Sequence, residues 1–153
     1  MKLSEVLECD LIHLNIECAS KDELISKLLD QVYNAGKAPP FPPAEVMSKI
    51  KIREGIGGTL LPSGLSVPHA RLKGYEGFIV ALGTSSKPLF HDGIQIRLMA
   101  LMISSQSGGP LYLPSLAAFT KLSRDGQYFS RLCGAESPER LFSIVLERDP
   151  ELG

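Results

Sequence analysis

The side chains best suited to covalent or electrostatic chemistry cluster between residues 53 and 71. That stretch reads Arg-Glu-Gly-Ile-Gly-Gly-Thr-Leu-Leu-Pro-Ser-Gly-Leu-Ser-Val-Pro-His-Ala-Arg. Its most reactive group is His69, which directly follows Pro68. A neutral imidazole nitrogen can attack phosphorus in line and carry the phosphoryl group as a phosphoramidate. Such a site needs one unprotonated ring nitrogen, with the other held by a hydrogen bond. It also needs cations or N–H donors for the phosphoryl oxygens, and a flat apolar rim to admit a partner. Arg53, Arg71 and the N–H groups of the glycine-rich loop are available as donors. The competing reading is a histidine satisfied in a turn, with Arg53 serving only the C-terminal dipole of a helix.

Other chemistries fit less well. Gly55-Ile56-Gly57-Gly58 resembles a phosphate-cradling loop, but no Gly-Lys-Ser/Thr follows, and it leads into a strand. Pro62-Ser63-Gly64-Leu65-Ser66 does not supply the Gly-x-Ser-x-Gly turn of a serine hydrolase. The three histidines are not at metal-ligand spacing, and no cysteine lies near them in a zinc pattern. No metal and no cofactor is therefore expected.

The elements around this stretch must position it. Leu65-Ser66-Val67 suits a short strand, with Ser66 facing away from its neighbours. Pro68 fixes its own φ and favours extended geometry at Val67, which predicts His69 at the strand's end, on the lip of a flexible loop. Upstream, Met1 to Leu7 suits a helical turn. In Leu11 to Ile16 the residues Ile12, Leu14 and Ile16 face one way, and His13 and Asn15 the other. Ser20 to Glu23 reads as a capping box opening a helix that Gly36 stops. The linker Pro39-Pro40-Phe41-Pro42-Pro43 places Pro43 at the first position of a second helix.

Downstream, Gly77 to Leu82 reads as a buried strand, His91-Asp92-Gly93 as a turn, and Ile94 to Ile103 as one long strand in a hairpin. Leu111 to Asp125 suits a helix ended by Gly126. A short helix through Tyr128 and Leu132 follows. In the last helix, capped by Ser137, the residues Leu141, Phe142, Val145 and Leu146 form the buried face. This order predicts a single α/β domain over residues 1–153, a mixed parallel and antiparallel sheet flanked by helices on both faces.

Composition narrows the function classes. Sixteen Lys and Arg against seventeen Asp and Glu give a net charge of -1, so no basic field points to nucleic acid or an anionic membrane. No apolar run is long enough to span a bilayer. Cys9, Cys18 and Cys133 are odd in number and far apart, which suits a reducing, cytoplasmic setting.

The chain resembles the enzyme IIA proteins of the phosphoenolpyruvate-dependent phosphotransferase system, fructose/mannitol type, and most of all their stand-alone nitrogen-regulatory branch. Arg53-Glu54, Gly57, Thr59, Gly64 and Pro68-His69 match that family's central pattern without a gap. Leu3 to Leu7, Ser20-Lys21, Asp92-Gly93, Leu113 to Leu122 and the Ser137 helix also have counterparts, so the likeness covers nearly the whole chain. It implies that His69 accepts a phosphoryl group from the phosphocarrier protein HPr and that Arg53 neutralises its oxygens, with Thr59 at the same site. It further implies transfer to a IIB domain, or readout by regulatory target proteins.

Three departures stand out. Tyr112-Leu113 occupies the place of the usual second active-site His-Leu, and Tyr112 can donate one hydrogen bond but carries no positive charge near neutral pH. Leu60 and Pro62 replace loop glycines. The usual Pro is missing from Ile103-Ser104-Ser105. A regulatory binding module whose phosphotransfer is weakened or lost is therefore the alternative function. Whether Ser66 or Ser104 belongs to the site is left open by the sequence.

Overall fold

The computed structural model describes residues 1–153. Two 3-10 turns (Leu3–Val6 and Cys9–Leu11) lead into β1 (Ile12–Ile16), α1 (Lys21–Asn34) and α2 (Pro43–Ile56). Next come β2 (Leu65–Ser66), β3 (His69–Leu72), β4 (Ile79–Ser85), β5 (Phe90–His91), β6 (Ile94–Gln95) and β7 (Leu98–Ser105). The chain closes with α3 (Tyr112–Arg124), α4 (Gly126–Cys133) and α5 (Pro138–Leu146). β1 pairs parallel with β4, β4 antiparallel with β7, and both β2 and β3 parallel with β7. β5 and β6 form a separate small hairpin.

Side-chain alternation along the central strands builds two cores. One face, carrying Leu65, Val67, Leu98, Ala100 and Met102, packs against α3, α4 and α5. The other, carrying Ala70, Leu72, Met99, Leu101 and Ile103, packs against α1 and α2. A mixed sheet between helices on both faces is the fold class expected from the order of elements.

Several local expectations are corrected. Pro68 does not end the strand at His69. It splits one strand into β2 and β3, because it lacks an N–H while its carbonyl still accepts from Met102 at 2.9 Å. His69 therefore opens β3, paired with Met102, and is fully buried rather than on a loop lip. The run Ile94 to Ile103 is not one strand. The Ile96 and Arg97 N–H groups bond to Leu89 and Gly64 carbonyls, which separates the β5–β6 hairpin from β7.

In β1, Asn15 takes a φ of 56° and its N–H bonds to Thr84 Oγ1 at 2.9 Å. The alternation breaks there, so Ile16 joins the core opposite to that of Ile12 and Leu14. Ser20 caps α1 by accepting from Glu23 N at 3.1 Å, but the Glu23 carboxylate pairs with Lys27 instead of completing the box. Gly126 opens α4 rather than simply ending α3, since the Asp125 side chain accepts from Tyr128 N at 3.2 Å. In α5 the buried face uses Ile144, while Leu146 in the last turn is exposed.

Candidate functional site

Parity along the strands assembles the site. Residues 65, 67, 69 and 71 point to one face, so His69 and Arg71 share the side that α3 covers. On β7, Ser104 lies two residues beyond Met102, the residue paired with His69, and faces the same way. His69 Nε2 is 2.6 Å from Ser104 Oγ, and that hydroxyl reaches the Ser105 carbonyl at 3.0 Å. Nδ1 is buried without a partner. Ser104 is thus the site residue that sequence reasoning left unassigned. The signal that could have found it is its even spacing from the core residues Leu98, Ala100 and Met102. Ser66 points to the opposite face, and its buried hydroxyl has no partner.

Tyr112 opens α3 and lies flat on the imidazole. The ring centroids are 3.7 Å apart and the planes differ by 11°. The expected contact through the phenol hydroxyl is replaced by this stack, because the loop before α3 brings the ring down face-on. Gly108, at φ 92°, passes so close that a β-carbon there would sit 3.4 Å from the Tyr112 ring. Arg71 is exposed, and its guanidinium carbon lies 6.0 Å from the Tyr112 centroid. No carboxylate pairs with it within 4 Å.

Burial lowers the His69 pKa to about 4, and the nearby charges of Arg71 and Arg53 push the same way. The ring is therefore neutral at pH 7, which is the protonation state a nucleophile requires. Neither ring nitrogen is open to solvent in this arrangement.

Arg53 and Thr59 sit at the edge of this cluster. Arg53 lies in the last turn of α2, and its Nη1 donates to the Gly57 carbonyl at 3.0 Å. The rest of the guanidinium fork has no protein acceptor. Thr59 Oγ1 donates to Glu54 Oε2 at 2.8 Å, and Glu54 Oε1 meets Lys21 Nζ at 3.0 Å. Lys21 and Glu54 are both nearly buried, so this trio ties the start of α1, the end of α2 and the loop before β2. Ile52 and Ile56 on α2, the helix that carries Arg53, and Leu113 beside Tyr112 are exposed apolar residues.

A family model described as "Phosphoenolpyruvate-dependent sugar phosphotransferase system, EIIA 2" matches residues 5–148. The chain belongs to this family. Its members include relatives of two sizes. Over 150 residues it is 27% identical to the 2-O-alpha-mannosyl-D-glycerate-specific EIIABC component of Escherichia coli, covering 95% of this chain and 22% of that protein. Over 159 residues it is 28% identical to the nitrogen regulatory protein of E. coli, covering 97% and 92%. The EIIA 2 chain thus spans under a quarter of the first relative and nearly all of the second.

Solved structures share the fold. The nitrogen regulatory protein IIA-Ntr of Neisseria meningitidis superposes with a TM-score of 0.76 at 22% identity, over 94% of this chain and 98% of that one. Enzyme IIA-mannitol of E. coli, solved in complex with phosphorylated enzyme IIB-mannitol, gives 0.73 at 18% identity, over 93% and 98%. In that relative, a IIA domain pairs with a IIB domain. No helix of the EIIA 2 chain is long and apolar enough to cross a membrane.

Proposed function

We propose that this EIIA 2 domain is a histidine phosphocarrier that takes its phosphoryl group from phospho-HPr on His69. The observation that carries the reading is a neutral imidazole, fixed on a strand by Pro68 and Ser104, within the fields of two arginines. A ring nitrogen of His69 forms an N–P bond as the donor's P–N bond breaks. Each ring keeps the hydrogen on its other nitrogen, so no further acid or base is required. Arg53, with donors to spare, meets the phosphoryl oxygens. Thr59 acts through Glu54 as a positioning residue for the loop rather than through the phosphoryl group.

The exposed Ile52, Ile56 and Leu113 supply the apolar rim on which HPr docks, and in turn a IIB domain or a regulatory target. The site works in the cytoplasm, where phosphoenolpyruvate and HPr are available.

A second reading has its own observation. His69 has no exposed surface and Tyr112 covers it, as expected of a binding module in which transfer has been lost. Intact mass separates the two. The domain is incubated with phosphoenolpyruvate, enzyme I and HPr. One acid-labile phosphoryl group, absent from His69→Ala, is the expected result. No mass gain under conditions that charge an ordinary family member overturns the phosphocarrier reading and leaves the binding module.

A further inference from the structure

Resting on the phosphocarrier reading, we propose that the Tyr112 ring and the oxygens of the phosphoryl group compete for the same space beside His69, and that Arg71 is a second cation, with Arg53, that meets the group once Tyr112 has moved. Tyr112 is then a lid, and Arg71 a further catalytic residue, in contact with the transferred group.

The covered ring is the starting point. With Tyr112 stacked 3.7 Å over its face, Nε2 on Ser104 and Nδ1 buried, His69 has no room for three phosphoryl oxygens: the phosphorus would lie in the plane of the imidazole, but an oxygen standing out of that plane would run into the phenol ring. A phosphoryl group carries nearly two negative charges, and leaving it buried beneath a phenol ring without a cation would be strongly unfavourable. Formation of the N–P bond must therefore move Tyr112 aside. The movement is local. Tyr112 is the first residue of α3, and Gly108 and Gly109, both at positive φ, lie just before it. No side-chain hydrogen bond anchors the phenol hydroxyl to His69; the stack on the imidazole and apolar packing in the core hold the lid shut.

Arg71 is placed to take over. It follows His69 by two residues on the same face of β3, about 6.6 Å along the strand. Its guanidinium already reaches towards the Tyr112 ring, and it has no acidic partner to give up. Arg53, by contrast, already uses one N–H on the carbonyl of Gly57, just past the end of α2. Bidentate guanidinium–phosphate geometry would replace a weak contact over the ring with a charge-assisted one. Exchange also gives phosphorylation a readable consequence. The displaced Tyr112 emerges beside the exposed Leu113, so the charged and uncharged domains present different surfaces to a partner.

The lid can be tested without HPr. Diethyl pyrocarbonate acylates accessible neutral imidazoles, and His13 and His91 serve as references within the same chain. His69 is expected to be protected in the native chain and in Tyr112→Phe, which keeps the stack, and to react at a rate comparable with His91 in Tyr112→Ala. Reaction of His69 in the native chain as fast as His91 overturns the lid, as does protection in a Tyr112→Ala variant that retains the native circular dichroism.

If Tyr112→Ala fails to fold, the native chain still decides. Tetranitromethane should nitrate Tyr112 in the phosphorylated domain and spare it in the unphosphorylated one, and equal nitration in both states overturns the exchange. Arg71→Gln should slow loading from phospho-HPr by about ten- to a hundredfold, with Arg71→Lys recovering part of the rate and His69 still protected from the reagent. An unchanged loading rate removes Arg71 from the reaction. A Tyr112→Ala domain that exposes His69 yet takes no phosphoryl group would instead sink the phosphocarrier reading, with the lid left standing.

Discussion

Replacing Glu54 with Ala lowers the stability of the EIIA 2 domain by about 3–5 kcal/mol, the cost of leaving one partner of a buried ion pair without the other. Lys21 is the group left behind. Its side chain is 7% exposed, and Glu54 Oε1 lies 3.0 Å from its ammonium. The second carboxylate oxygen accepts from Thr59, so the substitution also releases the loop that leads into β2. A loss of that size is a large part of the stability of a domain, typically about 5–15 kcal/mol. Urea denaturation measures it directly. Lys21→Met in the Glu54→Ala background should restore most of the loss, because the apolar pair no longer buries an uncompensated charge. A Glu54→Ala variant within about 1 kcal/mol of the native chain would show that Lys21 reaches water or another acceptor.

Acid should destabilise the domain through His69. In the unfolded chain a histidine titrates near 6.5, whereas burial, then Arg71 and Arg53, holds the folded group at about 4. Between these values the unfolded chain binds a proton that the folded chain refuses. The contribution is therefore complete above about pH 6.5 and is lost as pH falls towards 4, amounting to about 3 kcal/mol over that window. Carboxylates add their own slopes, so the informative quantity is the difference between the native chain and His69→Gln. Denaturation curves at a series of pH values should converge as pH falls. Parallel curves would mean that His69 accepts its proton in the folded state as readily as in the unfolded one. The same titration bears on chemistry, since a ring that stays neutral throughout the physiological range is always in the nucleophilic form.

Much of the architecture was readable from local signals. Ser137 and Pro138 begin α5, Pro43 begins α2, and Ser20 caps α1, because caps and first-turn prolines act through neighbouring backbone N–H groups only. The family is likewise carried by residue order, from Arg53-Glu54 through Pro68-His69, and the match over residues 5–148 agrees with it. What failed were boundaries decided by pairing. Pro68 reads as a strand terminator in isolation, yet pairing resumes beyond it, because the Pro68 carbonyl still accepts from the Met102 N–H on β7. Asn15 reads as an ordinary polar position on a strand, yet its left-handed backbone sends Ile16 to the other core. Periodicity assumes an unbroken pleat and cannot register a bulge.

Residue types and spacing alone determined part of the site, a histidine on a strand after a proline with arginines before and after it; the family resemblance added the tyrosine at the start of a later helix. Tertiary structure decided how they meet. Alternation on β3 turns His69 inward to the face that α3 covers, and pairing with β7 sets Ser104 against its ring. The glycine loop then lowers Tyr112 onto the imidazole. Each contact joins residues more than thirty positions apart, so it depends on which strands pair and how a helix lands on them, and no local propensity encodes that.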